Sequence, residues 1–202
     1  MLDQRDEASR EFDLIYVGFW RRLAAYAIDF LILLPYALLS SFFLQTTKWG
    51  FVFGQVRGFA LAILFEVYLV RCFGGSPGKL FMGVRIAKTN GVSVGYKEAW
   101  LRYSVLLIIA TLSSIGLIIS LTHVPNDEFS ALSFKTRIKH LEAGTPSWFQ
   151  PLQIVGSVWI YSEFLVLFTN KQRRALHDFL AGTVVIRRIP PAGVQAPASA
   201  RV

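Results

Sequence analysis

The chain reads as an all-α membrane protein with four transmembrane helices, and three observations carry that reading. Hydrophobic residues make up 53% of its 202 residues and charged ones 17%, where a soluble domain carries about a quarter charged. Four apolar runs, 23–47, 49–70, 103–122 and 147–170, are each long enough to cross about 30 Å of hydrocarbon. The basic residues alternate between heavy and light loading of the segments that join those runs, which gives the chain a direction.

The first run, Leu23 to Thr47, contains one charge, Asp29; the second contains Arg57 and Glu66, the third none, and the fourth Glu163. The N-terminal tail, the segment between runs two and three, and the C-terminal tail together hold sixteen basic residues, against five on the opposite side. Positive charge stays on the cytoplasmic side, so both termini and the middle segment are expected there, in a multi-pass chain of the bacterial cytoplasmic (inner) membrane. Trp20 and Trp100 then fall at the inner interface, and Trp49 and Trp148 at the outer one. Five acids within residues 1–13 argue against a cleaved signal. The lone Cys72 cannot form an intramolecular disulfide. The net charge of +8 sits beside apolar spans rather than on a polar surface, so nucleic acid is not an expected partner.

The connecting segments have their own signals. Gly74-Gly75-Ser76-Pro77-Gly78-Lys79 is a glycine-rich turn. It is not a phosphate-binding loop, because the first glycine of that spacing would fall on Phe73. Residues 84–87 and 92–94 flank Lys88-Thr89-Asn90-Gly91, and Asn-Gly between apolar stretches predicts a short cytoplasmic β-hairpin. Phe129, Leu132, Phe134, Ile138 and Leu141 recur among charges in the outer segment 123–146, which predicts an amphipathic interfacial helix. A membrane domain over 16–187 is thus expected between a polar tail, 1–15, and a disordered proline- and alanine-rich tail, 188–202.

Arg22 and Asp29 stand seven residues apart, close to two helical turns, so Arg22, Tyr26 and Asp29 share a face. A carboxylate inside such a run costs roughly 2.5–3.5 kcal/mol, so it needs a partner or a role. Glu66 and Glu163 lie at the same ends of their spans, and all three acids fall roughly 7–12 Å from the cytoplasmic boundary at about 1.5 Å per residue. One reading of this layer is a proton- or cation-binding site. A second is a charge-neutralised bundle in which Arg22, Arg71 or Arg102 answers the acids. A third is protonated carboxyls bonded to Tyr26, Tyr68 or Tyr161. Nearer the C-terminus, Arg174 and Asp178 stand at i, i+4 with Gly182 as a helix stop, and His177 reads either as a proton sensor or relay or as an interfacial histidine with no such role. Tyr26 and His177 are the candidates for a proton relay. No nucleophilic triad and no zinc-ligand spacing is present in the sequence, so neither enzyme activity nor a metal or other cofactor is expected.

Three blocks together resemble the RDD family of small membrane proteins, named for an arginine and two aspartates. They are Gly18-Phe19-Trp20-Arg21-Arg22-Leu23-Ala24-Ala25-Tyr26-Ala27-Ile28-Asp29, then residues 74–86 followed by Asn90-Gly91, and residues 174–186 with Arg174, His177, Asp178 and Gly182. In order and spacing they cover most of 16–187. The resemblance places the signature on Arg22, Asp29 and Asp178, and so implies that Asp178 belongs with the first pair. It also implies transport, with cation/proton exchange one form of it. The expected function is therefore a cation/proton or small-solute transporter using Arg22, Asp29, Glu66, Glu163 and Asp178. The alternative is a non-transporting accessory or scaffold protein of a membrane complex. The expected partners are the lipid bilayer and either a second copy or another membrane protein.

Overall fold

A computed structural model describes residues 15–41 and 46–187, with the side chains of Glu163, Phe164 and Leu167 outside the described set. The expected polar tail, apart from Ile15, and the expected disordered tail 188–202 also lie outside the described residues.

The first helix, α1 (Phe19–Leu39), starts from an extended Gly18. The next, α2 (Lys48–Ile63), is capped by Thr47, whose hydroxyl accepts the Gly50 N–H at 3.0 Å. It runs on through a π turn (Leu64–Tyr68), where Leu69 N–H bonds the Leu64 carbonyl, into α3 (Leu69–Phe73). Glu66 sits on that widened turn, a feature frequent at functional sites. Gly74, at φ 83°, ends α3 in the left-handed conformation that glycine adopts freely. Ser76 then enters α4 (Pro77–Phe81), with Pro77 in its first turn, where the missing N–H is no loss. Strand β1 (Val84–Lys88) leads to α5 (Tyr96–Thr122), then α6 (Asn126–Ala131), α7 (Phe134–Ala143), α8 (Phe149–Thr169), α9 (Leu176–Ala181) and β2 (Thr183–Arg187).

The chain is mostly helical with a small two-stranded sheet. Two helices, α1 and α5, are long and apolar enough to cross a membrane, and only 17% of the apolar window of each is buried. The core helix of a soluble domain would bury most of that surface. On α8, Ile154, Val155, Val158 and Leu165 are likewise more than half exposed.

Two expectations are corrected. The strand predicted at 84–87 is present, but its partner is not 92–94. It pairs antiparallel with β2, from Val84↔Arg187 to Lys88↔Thr183. The local hairpin shrinks to one bridge, Ala87↔Ser93, and a Lys88 N–H bond to the Val92 carbonyl at 2.8 Å. The reason is room and chemistry: Gly95 already begins α5, its N–H taken by Glu98 at 2.8 Å. Thr183-Val184-Val185-Ile186 offers a buried β-branched run instead. Residues 15–17 then line the far edge of β2 through Arg187 N–H to Ile15 and Val17 N–H to Val185.

The outer segment, expected to hold one interfacial helix, forms two, α6 and α7. Phe129 and Leu141 are buried against Phe51, Leu121 and Val124, with Ile138 alongside. Arg137 closes this cap by donating to the Phe129 and Leu132 carbonyls at 3.1 and 2.8 Å. The apolar stripe thus covers one end of the helices. The sheet covers the other end, where Val17, Val84, Ile86 and Val185 join Val67, Val70 and Tyr103 in one cluster.

Gly78 marks the tightest approach at the sheet end. A Cβ there would collide with the Ala25 carbonyl oxygen and stand 2.9 Å from the Asp29 carboxyl. Gly58 on α2 has open space around the same position. Gly78→Ala is expected to cost about 1–3 kcal/mol, as overpacking does, whereas Gly58→Ala should be neutral or gain up to about 1 kcal/mol. Thermal unfolding of both variants in one detergent checks the contrast, and equal melting temperatures would contradict it.

Candidate functional site

Arg22, Ala25 and Asp29 form the buried stripe of α1. The two charges on that stripe take different partners. Arg22 Nη1 donates to Asp178 Oδ2 at 2.9 Å, its Nη2 to the Arg173 carbonyl at 2.5 Å, and its Nε to the Val17 carbonyl at 3.3 Å. From α5, Arg102 Nη1 pairs with Asp178 Oδ1 and also donates to Thr183 Oγ1 at 2.6 Å. Asp178 accepts further bonds from Ala175 N–H at 3.0 Å and from the Thr183 hydroxyl at 3.2 Å. It is wholly buried, between two guanidinium groups.

The C-terminal block builds this site locally. Asn170 folds the turn before α9, accepting Arg174 N–H at 2.7 Å and donating to the Arg174 carbonyl at 2.8 Å. Arg173, at φ 49°, presents its carbonyl to Arg22 from that turn. The helix predicted over this block is α9, ended by a left-handed Gly182 as expected. Arg174, however, lies before the helix. It donates to the Asp178 carbonyl oxygen at 2.9 Å and to the Thr183 carbonyl at 3.1 Å, and stacks on Phe179. It does not form the expected side-chain pair with the Asp178 carboxylate, because two other arginines occupy that carboxylate.

Asp29 serves the glycine-rich turn. Its Oδ2 accepts the Ser76 hydroxyl at 2.5 Å and its Oδ1 the Gly78 N–H at 2.7 Å. A carboxylate from α1 thereby satisfies a buried N–H that has no partner within the helix at the start of α4. With α4 fixed there, Lys79 is carried inward and buried, its Nζ 3.6 Å from Glu66 Oε2 and 5.1 Å from the centre of the Tyr26 ring. Burial is the largest influence and acts to lower the Lys79 pKa, but Glu66, Tyr26 and Asp29 together outweigh it, and the ammonium holds its proton beyond the usual lysine range.

Next to this pair is a cavity of about 240 Å³ lined by Tyr26, Glu66, Arg102, Tyr103, Leu106, Ile160 and His177. It exceeds the roughly 150 Å³ apolar cavity that admits benzene. The two expected relay residues, Tyr26 and His177, both line it, and His177 Nε2 stands 3.6 Å from Asp178 Oδ1. Of the five expected charged residues, Arg22 and Asp178 meet, Glu66 faces the cavity, and Asp29 is engaged with α4. Glu163 lies on α8, three residues beyond Ile160, with its side chain outside the described set. Among the described residues no group of three or more His, Cys, Asp or Glu is placed to hold a metal ion.

Sequence reasoning passed over Ser76, Lys79 and Thr183 as site residues and treated Arg102 only as a possible counter-charge. Ser76-Pro77 carried a usable signal, since an N-cap serine before proline marks a helix start. Thr183 carried none, because its role depends on a contact between distant segments.

The chain matches the sequence model of the RDD family over residues 16–182. No curated relative and no solved structure matches it.

Burial works to raise the Asp178 pKa, but Arg102, His177, Arg22 and the Ala175 N–H together hold it well below the usual carboxylate range. A depressed folded pKa means stabilisation that is present above the unfolded value, about 3.9, and lost as pH falls below it. The contribution of Asp178 should therefore be flat above about pH 5 and fade in acid. Asp178→Asn leaves two buried arginines uncompensated and should cost about 3–5 kcal/mol at neutral pH. It should also shrink the acid-side loss of stability. Melting temperatures of wild type and variant between pH 3 and pH 8, read at roughly one-unit steps, check both effects.

Proposed function

Because the chain belongs to the RDD family and is a membrane protein, we propose that it crosses the bilayer four times and moves a small cation or solute in exchange for protons. The four spans in this reading are α1, the continuous path from α2 through α3, α5 and α8. Exposed Trp20 and Trp100 near the sheet end, with exposed Trp49 and Trp148 near the other, support two interfacial belts. The excess of basic residues at the sheet end supports a cytoplasmic position for that end, in a bacterial inner membrane.

The cavity beside Glu66 is the observation that carries the transport reading. It combines a carboxylate, two phenols, an imidazole and a guanidinium between helices whose outer surfaces are apolar. An ionisable group at such a depth is a functional candidate by default. Asp29 and Asp178 fit a different role, since each is already bonded within the protein. Glu66 has a partly exposed side chain and one loose ionic partner, so it is the carboxylate most free to exchange.

The expected test uses purified protein in liposomes with a trapped pH dye. Wild type should answer added sodium or potassium with a pH change, and Glu66→Gln should lose the response while remaining folded. Asp29→Asn should lower the melting temperature yet retain flux in the fraction that folds. A flat wild-type trace under several cations and both pH gradients would sink the transport reading. The saturated Arg22–Asp178–Arg102 contact supports a second reading, an accessory protein held rigid to present its sheet to a membrane-protein partner. Cross-linking that retrieves no stoichiometric partner would count against it.

A further inference from the structure

The Lys79 ammonium is buried, its side chain 5% exposed, and it donates no hydrogen bond among the described residues. An ammonium in water donates three. Here it is held by charge at 3.6 Å from Glu66 and by the face of Tyr26 at 5.1 Å. A carboxylate and an aromatic face are also groups that can hold a partly dehydrated monovalent cation. The Glu66 side chain is 35% exposed and lines the cavity, so a cation can reach it while Lys79 stays buried behind.

Resting on the transport reading, we propose that Glu66 is a monovalent-cation site whose resident occupant is the Lys79 ammonium, and that an incoming cation displaces this ammonium and releases one proton. In the exchange, a cation M⁺ takes the place of the lysine beside the Glu66 carboxylate. Lys79 passes from –NH₃⁺ to –NH₂, one N–H bond breaks, and the proton leaves to water. One positive charge enters and one leaves, so the site keeps its net charge.

The other charged groups around the pair are already committed or fixed. Asp29 on α1 is bonded to Ser76 and Gly78, and Arg102 on α5 to Asp178 and Thr183. His177 on α9 lines the same cavity. With Glu66 turned to another cation, burial is the largest influence left on Lys79 and Arg102 adds to it, against smaller opposing pulls from Tyr26 and Asp29, so the neutral amine is favoured. Proton loss therefore follows from losing the partner rather than from an added base.

Binding of radiolabelled sodium, with rubidium as a probe for potassium, to protein in lipid nanodiscs tests this directly. Wild-type affinity should rise about ten-fold per pH unit, because one proton is given up per cation bound. In weak buffer, wild type should release one proton per cation bound. Lys79→Met should bind at least about ten-fold tighter at neutral pH with the pH dependence gone, the internal competitor having been removed. Lys79→Arg should bind weakly, since a guanidinium does not give up its proton, and Glu66→Gln should not bind. Unchanged affinity and pH slope in Lys79→Met, no proton release by wild type, or no cation binding by either overturns the proposal. Cation-linked proton release without liposome flux would overturn transport and leave the Lys79 assignment standing. Flux that persists unchanged in Lys79→Arg would do the reverse.

Discussion

The carboxylate of Asp178, held between Arg22 of α1 and Arg102 of α5, is the contact on which the buried charges beneath the sheet depend. Removing an ion from water costs several kcal/mol, and that cost is met only when its lone pairs are filled with good geometry. Asp178 meets the condition with two guanidinium groups, a backbone N–H and a hydroxyl. Because Arg22 is spent on this contact, it is not the partner that Asp29 uses two turns further along α1. Asp29 is left to hold the start of α4, and α4 in turn delivers Lys79 to Glu66. One pairing thus sets the next across elements that are far apart in sequence.

The same arrangement separates a frame from a responsive part. Arg22, Asp178, Arg102 and Thr183 are buried and mutually bonded, and the β1–β2 sheet with residues 15–17 ties both ends of the described chain over them. Glu66 differs in being partly exposed, on a π turn, and opposed by a lysine that makes no hydrogen bond among the described residues. Arg102 connects the two, since it grips Asp178 and also lines the cavity beside Glu66. Its guanidinium is a short electrostatic path by which occupancy at Glu66 can be felt by the frame.

The apolar stripe at 129–141 shows how a sound local reading can meet a different partner. Its periodicity correctly signals helix, but the apolar face lies on Phe51, Leu121 and Val124 rather than standing alone. Strand β1 shows the same thing: local turn chemistry at Asn90-Gly91 points to 92–94, yet a longer β-branched run nearly a hundred residues away wins the ladder. In both cases the local pattern specifies a surface that must be buried and leaves open what buries it.

Read by itself, the sequence determined the helical class, the apolar runs, the spacing that puts Arg22 and Asp29 on one helix face, and the glycine-rich turn before Lys79. Those features are local, because composition, run length and spacing along one helix fix them without reference to the rest of the chain. Only the tertiary structure decided that Arg22 bonds Asp178, that Asp29 caps α4, and that Lys79 lies against Glu66 at a cavity shared with His177. A buried charge is paired by whatever opposite or hydrogen-bonding group the fold brings within about 3–4 Å. That distance is a property of packed helices, and spacing in sequence does not encode it.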